Sequence, residues 1–236
     1  SGNPAESPLE IASIRIAGQE ALADLHAALA WQAPLLTLKP VETETHGIKF
    51  TLTGKLGLTS GLPLQVEAQA PKQKTAPLAL PGEGRAEAEA IAGNARFRGF
   101  LLAPGTWQGE LVTEALSPSI RFAGHDAKFD RGFAINVLRG GLLSCADARL
   151  IGDELSLLGN ATLLADGRLA GALRLVAPPD SVTAIVNRVF PKLPQPPSLT
   201  PLSTPQRAAF DLEAFGNIRQ IFLRPGKDGP IMELQH

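Results

Sequence analysis

Tyrosine is absent from this chain, cysteine and methionine occur once each, and only two tryptophans are present. The lone cysteine, Cys145, excludes an intrachain disulfide, so the fold must rest on buried apolar surface, and 236 residues are enough for that. The redox compartment stays open, because large secreted domains also fold without disulfides. Aromatic residues make up 5% of the chain, which tilts away from sugars, bases and other flat ligands held by stacking. A formal net charge of −1 argues against a nucleic-acid partner, whose binders concentrate basic charge. No uncharged stretch is long and continuous enough for a membrane-spanning helix.

Catalytic and metal-binding motifs are also missing. His26, His46, His125 and His236 stand at no metal-ligand spacing from one another, and neither HExxH nor CxxC occurs. There is no GxSxG elbow, phosphate-binding loop or dinucleotide fingerprint, and PGEGR reads as a turn. His125-Asp126 in FAGHDAKFDRG is the most polar cluster, read as an exposed turn with Asp126 and Asp130. Cys145 alternates with Leu143 in LLSCADARL and is read as a buried, inert thiol. Asn160-Ala161-Thr162 matches a glycosylation sequon but falls within a predicted strand. The carboxylates of VETET and AEAEA alternate along strands toward solvent, and acid–base work would need a pair of them to converge in a pocket. The expectation is a protein that is not an enzyme and uses no cofactor or metal.

What the chain does have is alternation with a period of two. Ile48, Phe50 and Leu52 alternate with Lys49, Thr51 and Thr53, after a turn at His46-Gly47. The same pattern returns in LPLQVEAQA, in GRAEAEAIAG, at Phe97-Gly99-Leu101 and at Trp107-Gly109-Leu111. In Glu154–Pro178 an Asp166-Gly167 pair separates two such arms, a strong hairpin signal because glycine accepts positive φ. Leu155, Leu157, Gly159, Ala161 and Leu163 share one parity of the first arm; Leu169, Gly171, Leu173 and Leu175 share one parity of the second. Turn residues punctuate these runs as in an antiparallel meander, and the strand–helix alternation of a doubly wound fold is missing. The predicted class is all-β, mostly an antiparallel meander forming a curled sheet or groove, with one or two short helices.

Two segments depart from the pattern. Ala21–Trp31 fits either a strand or a short alanine-rich helix, and the neighbouring strands favour the strand. Asp180–Phe190 carries Val182, Ile185, Val186, Val189 and Phe190 at helical spacing, with Asp180 or Ser181 placed to cap it and Pro191 to end it. The organisation expected is therefore a β-rich curled sheet over 1–190 ending in that helix, a proline-rich strap over 191–206, and C-terminal strands over 207–236 packing on the same domain. Apolar alternation with glycine is compatible with a closed sandwich core as well as with an open apolar surface.

The segments PLEIASIRIAG, FTLTGKLGLTSGLPLQVEAQAP, GGLLSCADARLIGDELSLLGNATLLADGRLAGALRL and RAAFDLEAFGNIRQIFL share a phrase. An apolar strand and a G-x-L-x-L step lead to a D-x-x-L-x-G-x-A/G strand, then to D-G-x-L and another apolar strand, most clearly over Asp153–Leu175. In this the chain resembles the AsmA-like superfamily of diderm bacteria, which includes TamB; the predicted helix and strap have no counterpart in the resemblance. It implies a non-enzymatic domain that carries phospholipid or another acyl lipid in an apolar β-groove between inner and outer membrane. It also implies a periplasmic location, a tether to the inner membrane outside these residues, and contacts with inner- or outer-membrane proteins. The opening Ser1-Gly2 is compatible with a vector remnant, with which a leader or anchor would have been removed. The lipid-lining candidates are Ile48, Phe50, Leu52, Leu155, Leu157, Leu163, Leu169, Leu173 and Leu175. The alternatives are a structural or assembly module of the cell envelope with a closed core, docking partners on an edge strand or the strap, and more remotely a hydrolytic or carbohydrate-active β-domain.

Overall fold

A computed structural model describes residues 5–16, 19–45, 47–74, 76–80, 84–122, 125–164, 166–191, 193, 198–202, 206–217, 220–226 and 230–234. The chain opens with strands β1 (Ala5–Ile16), β2 (Gln19–Gln32), β3 (Leu35–Thr45), β4 (Ile48–Gly57) and β5 (Pro63–Gln73). Short strands β6 (Leu78–Leu80) and β7 (Gly84–Glu87) lead to β8 (Ala90–Phe100) and β9 (Ala103–Leu116). Likewise β10 (Ser119–Phe122) and β11 (His125–Lys128) lead to β12 (Arg131–Arg139), β13 (Leu142–Ile151), β14 (Ser156–Leu163) and β15 (Arg168–Ala177). Helix α1 (Pro179–Val189), the two-residue β16 (Thr200–Pro201), β17 (Ala208–Asn217), β18 (Gln220–Arg224) and β19 (Met232–Leu234) complete it.

The fold is all-β, as expected. One open antiparallel sheet runs in the order β1-β2-β3-β4-β5-β8-β9-β12-β13-β14-β15-β17-β18-β19, with β16 attached beside β17. The strands β11-β10-β7-β6 form a separate small sheet from the two excursions that interrupt the meander. Turns therefore alternate between two long margins. One margin carries the β2–β3, β4–β5, β8–β9, β12–β13 and β14–β15 turns; the other carries the β3–β4 turn, the small sheet, the β13–β14 connection and α1. Six strand pairs contain a register break, which bends and twists the strands locally.

Several local expectations are met and others are corrected. The Asp166-Gly167 hairpin forms: Gly167 has φ of +84° and donates to Leu164 O at 2.9 Å. Ala21–Trp31 lies within strand β2, where pairing to β1 and β3 outweighs alanine's helical preference. Helix α1 begins one residue early, and its cap is Pro178 instead of Asp180 or Ser181, with no side-chain capping bond. Pro179 in the first turn has no N–H to satisfy, so the missing capper costs less. GRAEAEAIAG is split between two sheets, since β7 ends at Glu87 and β8 starts at Ala90. The His125-Asp126 cluster is a short strand, not a turn, and Asp126 pairs with Arg121 at 2.6 Å. Half of the strap, His46 and Pro81–Glu83 of PGEGR lie outside the described residues.

The closed core is small. Leu175, Ala177, Val182, Val186, Phe190, Phe210 and Leu212 form it where α1 lies against β15 and β17. The helix contributes Val182 and Val186, four residues apart and hence on one face.

Candidate functional site

Directly opposed residues of an antiparallel sheet project to the same side, so register decides which side chains share a face. Leu29 opposes Leu38, Leu38 opposes Gly54, Gly54 opposes Val66, and Val66 opposes Phe97. The row continues through Gly109, Leu138, Leu143, Leu163, Leu169 and Gly216 to Ile221. It crosses twelve strands without a polar side chain, a distance of about 50 Å at the usual strand spacing. Two residues along each strand runs a second row, from Leu52 through Ala68, Ala95, Leu111 and Asn136 to Cys145, Ala161, Gly171, Ala214 and Leu223. Asn136 is its one polar member.

The other face is built from the alternate residues; it is polar over β4, β5, β8 and much of β9, and carries apolar side chains further along, at Ile135, Val137, Phe215 and Phe222. Thr53, Glu67, Arg96 and Glu110 form one of its rows. Arg174 grips Asp211 with two bonds of 2.6 and 2.8 Å, and Arg224 pairs with Glu213 at 2.8 Å. The Arg174 hydrogen bond holds the Asp211 carboxyl below its ordinary range against a smaller opposing effect of burial. A concavity of about 610 Å³ opens on this face, where Phe133 is ringed by Lys72, Glu114, Arg131 and Arg149. It is short and mixed in charge, whereas the apolar rows run as a continuous open surface.

Among the described residues, no strand packs face to face on the large sheet; beyond hydrogen-bonded neighbours, α1 lies on it, and Leu193 and Leu199 of the strap pack against the same cluster. Among those residues the apolar face carries a packed element only at the α1 corner, although Leu25 of β2, on the same face, is also buried at 2% exposure. Leu111, near its centre, is 40% exposed. A Cβ at Gly171 would fall 2.4 Å from the carbonyl oxygen of Asn160, so the β14 and β15 backbones approach closely there and leave no room for a larger residue.

Of the nine lipid-lining candidates, Leu163 and Leu169 oppose each other in the first row. Ile48, Phe50 and Leu52 lie on the same face of β4, half-buried, six strands from β14 along the sheet. Leu155, Leu157, Leu173 and Leu175 belong to the covered corner: Leu175 is in the core cluster, and the other three pack against it. Sequence reasoning did not single out Val66, Phe97, Leu111, Leu138 or Leu143 as lining, although each sits on the same face; the shared alternation was the available signal. Cys145 lies there too, half-buried instead of buried, and desolvation pushes its thiol pKa up. Among the described residues no group of three or more His, Cys, Asp or Glu side chains could hold a metal ion.

Comparison of the chain with protein-family models, with curated proteins and with solved structures finds no match.

Proposed function

We propose that the apolar face of the large sheet binds the acyl chains of a phospholipid or related lipid, and that the protein moves lipid without catalysis. The observation that carries this reading is the unbroken apolar row across twelve strands, over which no second sheet lies among the described residues. An exposed apolar surface on this scale is unfavourable in water unless something covers it. An acyl chain suits the surface, because hydrocarbon needs no directional partner and gains roughly 0.8 kcal/mol per methylene buried. The absence of polar anchors in the first row gives no single tight position, which favours sliding along the face over storage at one point. A place among AsmA-like envelope proteins, with a periplasmic location and membrane-protein partners, is the setting this reading favours.

Native mass spectrometry of the protein purified from cells under mild conditions tests it. Adducts with phospholipid masses are expected. A lipid-free spectrum from material never exposed to detergent would contradict the reading.

A further inference from the structure

Eight of the eleven exposed large hydrophobic side chains among the described residues lie on or beside four consecutive turns of one margin of the sheet. These are the β2–β3, β4–β5, β8–β9 and β12–β13 turns. Trp31 flanks the first, Leu58 starts the second, Leu101 and Leu102 form the third, and Leu142 follows the fourth; Leu102 is 76% exposed and Trp31 is 53% exposed. Across segments 31–36, 57–63, 99–106 and 139–144, Arg139 is the only charged residue. The opposite margin is different in kind, with Lys72, Glu89, Asp130, Arg131, Asp153 and Glu154 along it.

The turns are also joined to one another by backbone bonds. Leu58 N–H donates to Pro34 O at 2.7 Å, Leu101 N–H to Leu62 O at 3.0 Å, and Gly140 N–H to Trp107 O at 2.9 Å. The first two bonds run from one turn to the next and the third ties the β12–β13 turn to strand β9, so the apolar tips are held in place and some of their amides are already satisfied.

We propose that this margin seats on a lipid bilayer, with its turns entering the interfacial layer. A bilayer accepts apolar tips set roughly 10 Å apart, two strand spacings, without demanding a matching shape. A protein partner would call for complementary pockets and a polar rim, and these segments offer no such rim. Internally bonded amides lower the cost of leaving water. Tryptophan at the edge of the apolar zone is a residue favoured at membrane interfaces, and Arg139 is placed to meet a headgroup phosphate. The proposal stands on the margin alone and does not require a lipid on the apolar face.

Flotation of the purified chain with neutral phosphatidylcholine vesicles tests it, with bromine-labelled acyl chains as a depth probe. In a Trp107→Phe background Trp31 is the sole tryptophan, in a chain without tyrosine. The chain is expected to float, at low and high salt alike, with Trp31 emission shifted to the blue and quenched by the brominated lipid. Leu101→Asp combined with Leu102→Asp is expected to lower vesicle partitioning at least about tenfold, and Leu142→Asp alone to weaken it, both with unchanged circular dichroism. The proposal is overturned if neutral vesicles capture nothing, or if binding needs anionic lipid and disappears in salt. It is equally overturned if both tip variants float like the parent, or if Trp31 stays unquenched. Loss of flotation with phospholipid still co-purifying would sink this proposal and leave the acyl-chain reading standing.

Discussion

Trp107 lies across Gly99 of the neighbouring strand: a Cβ at Gly99 would fall 2.6 Å from the indole Cδ1. The same indole donates to Phe100 O at 2.8 Å and meets the Phe97 ring edge-on at 5.4 Å. The pair closes the end of the apolar face just beneath the hydrophobic turns. Gly99→Val cannot keep this arrangement, and the expected cost is about 1–3 kcal/mol. Urea unfolding measures it. With Trp31 replaced by Phe, emission from Trp107 should move to the red as the ring leaves its seat, and an unchanged spectrum would count against the packing described.

An open face and a closed core respond differently to the same insult. Leu111→Glu on the open face is expected to change stability by less than about 1 kcal/mol, while sharply reducing co-purified lipid. Val186→Asp, in the 2% exposed core position under β15 and β17, should cost roughly 3 kcal/mol or more. Equal losses from the two variants would mean that the face is closed in solution. Leu157 is a poorer probe, because it packs against the helix-covered cluster and would report on the core.

The Arg174–Asp211 pair carries a pH dependence of known sign. Its carboxyl is held below the ordinary range in the folded chain, so its contribution is present above the unfolded carboxyl value near ~4 and is lost as pH falls through the lower folded value. Both side chains are about half exposed, at 47% and 55%, which limits the effect to about 1 kcal/mol in dilute buffer. Asp211→Asn should therefore lower the temperature at which the β15–β17 region unfolds at pH 7 and leave it nearly unchanged near pH 2. A constant difference at both pH values would rule the pair out as the source.

Cys145 offers a chemical readout of the same face. Desolvation raises its thiol pKa, so alkylation by a soluble maleimide should be slow at neutral pH and quicken as the solution becomes alkaline. Loading with phospholipid should slow it further, by about tenfold if the acyl chain covers the second row. Identical rates with and without lipid would place the chain elsewhere.

The class of fold was legible in the sequence because each strand repeats the same period of two and each turn carries its own chemistry, as at Asp166-Gly167. Pairing was not legible. That Leu163 opposes both Leu143 and Leu169, or that Val66 opposes Phe97, depends on register breaks such as the one between Cys145 and Ala148, which no local pattern announces. The helix was found from its spacing, but its seat over Leu175 and Phe210 was not, so four candidates chosen as lining lie beneath it. The apolar turns were passed over for a related reason: Leu58, Leu101 and Leu142 look like ordinary strand ends until the meander brings alternate turns to one margin.

Each long strand touches little beyond the strands beside it, and most of those are its neighbours in sequence. Such a molecule can be assembled almost as it is synthesised, hairpin by hairpin, with short loops to close at most steps. It also has no single centre whose loss brings down the whole. Disruption at one hairpin leaves distant ones paired, so denaturation should proceed region by region, as in solenoid proteins, and no one midpoint temperature would describe it.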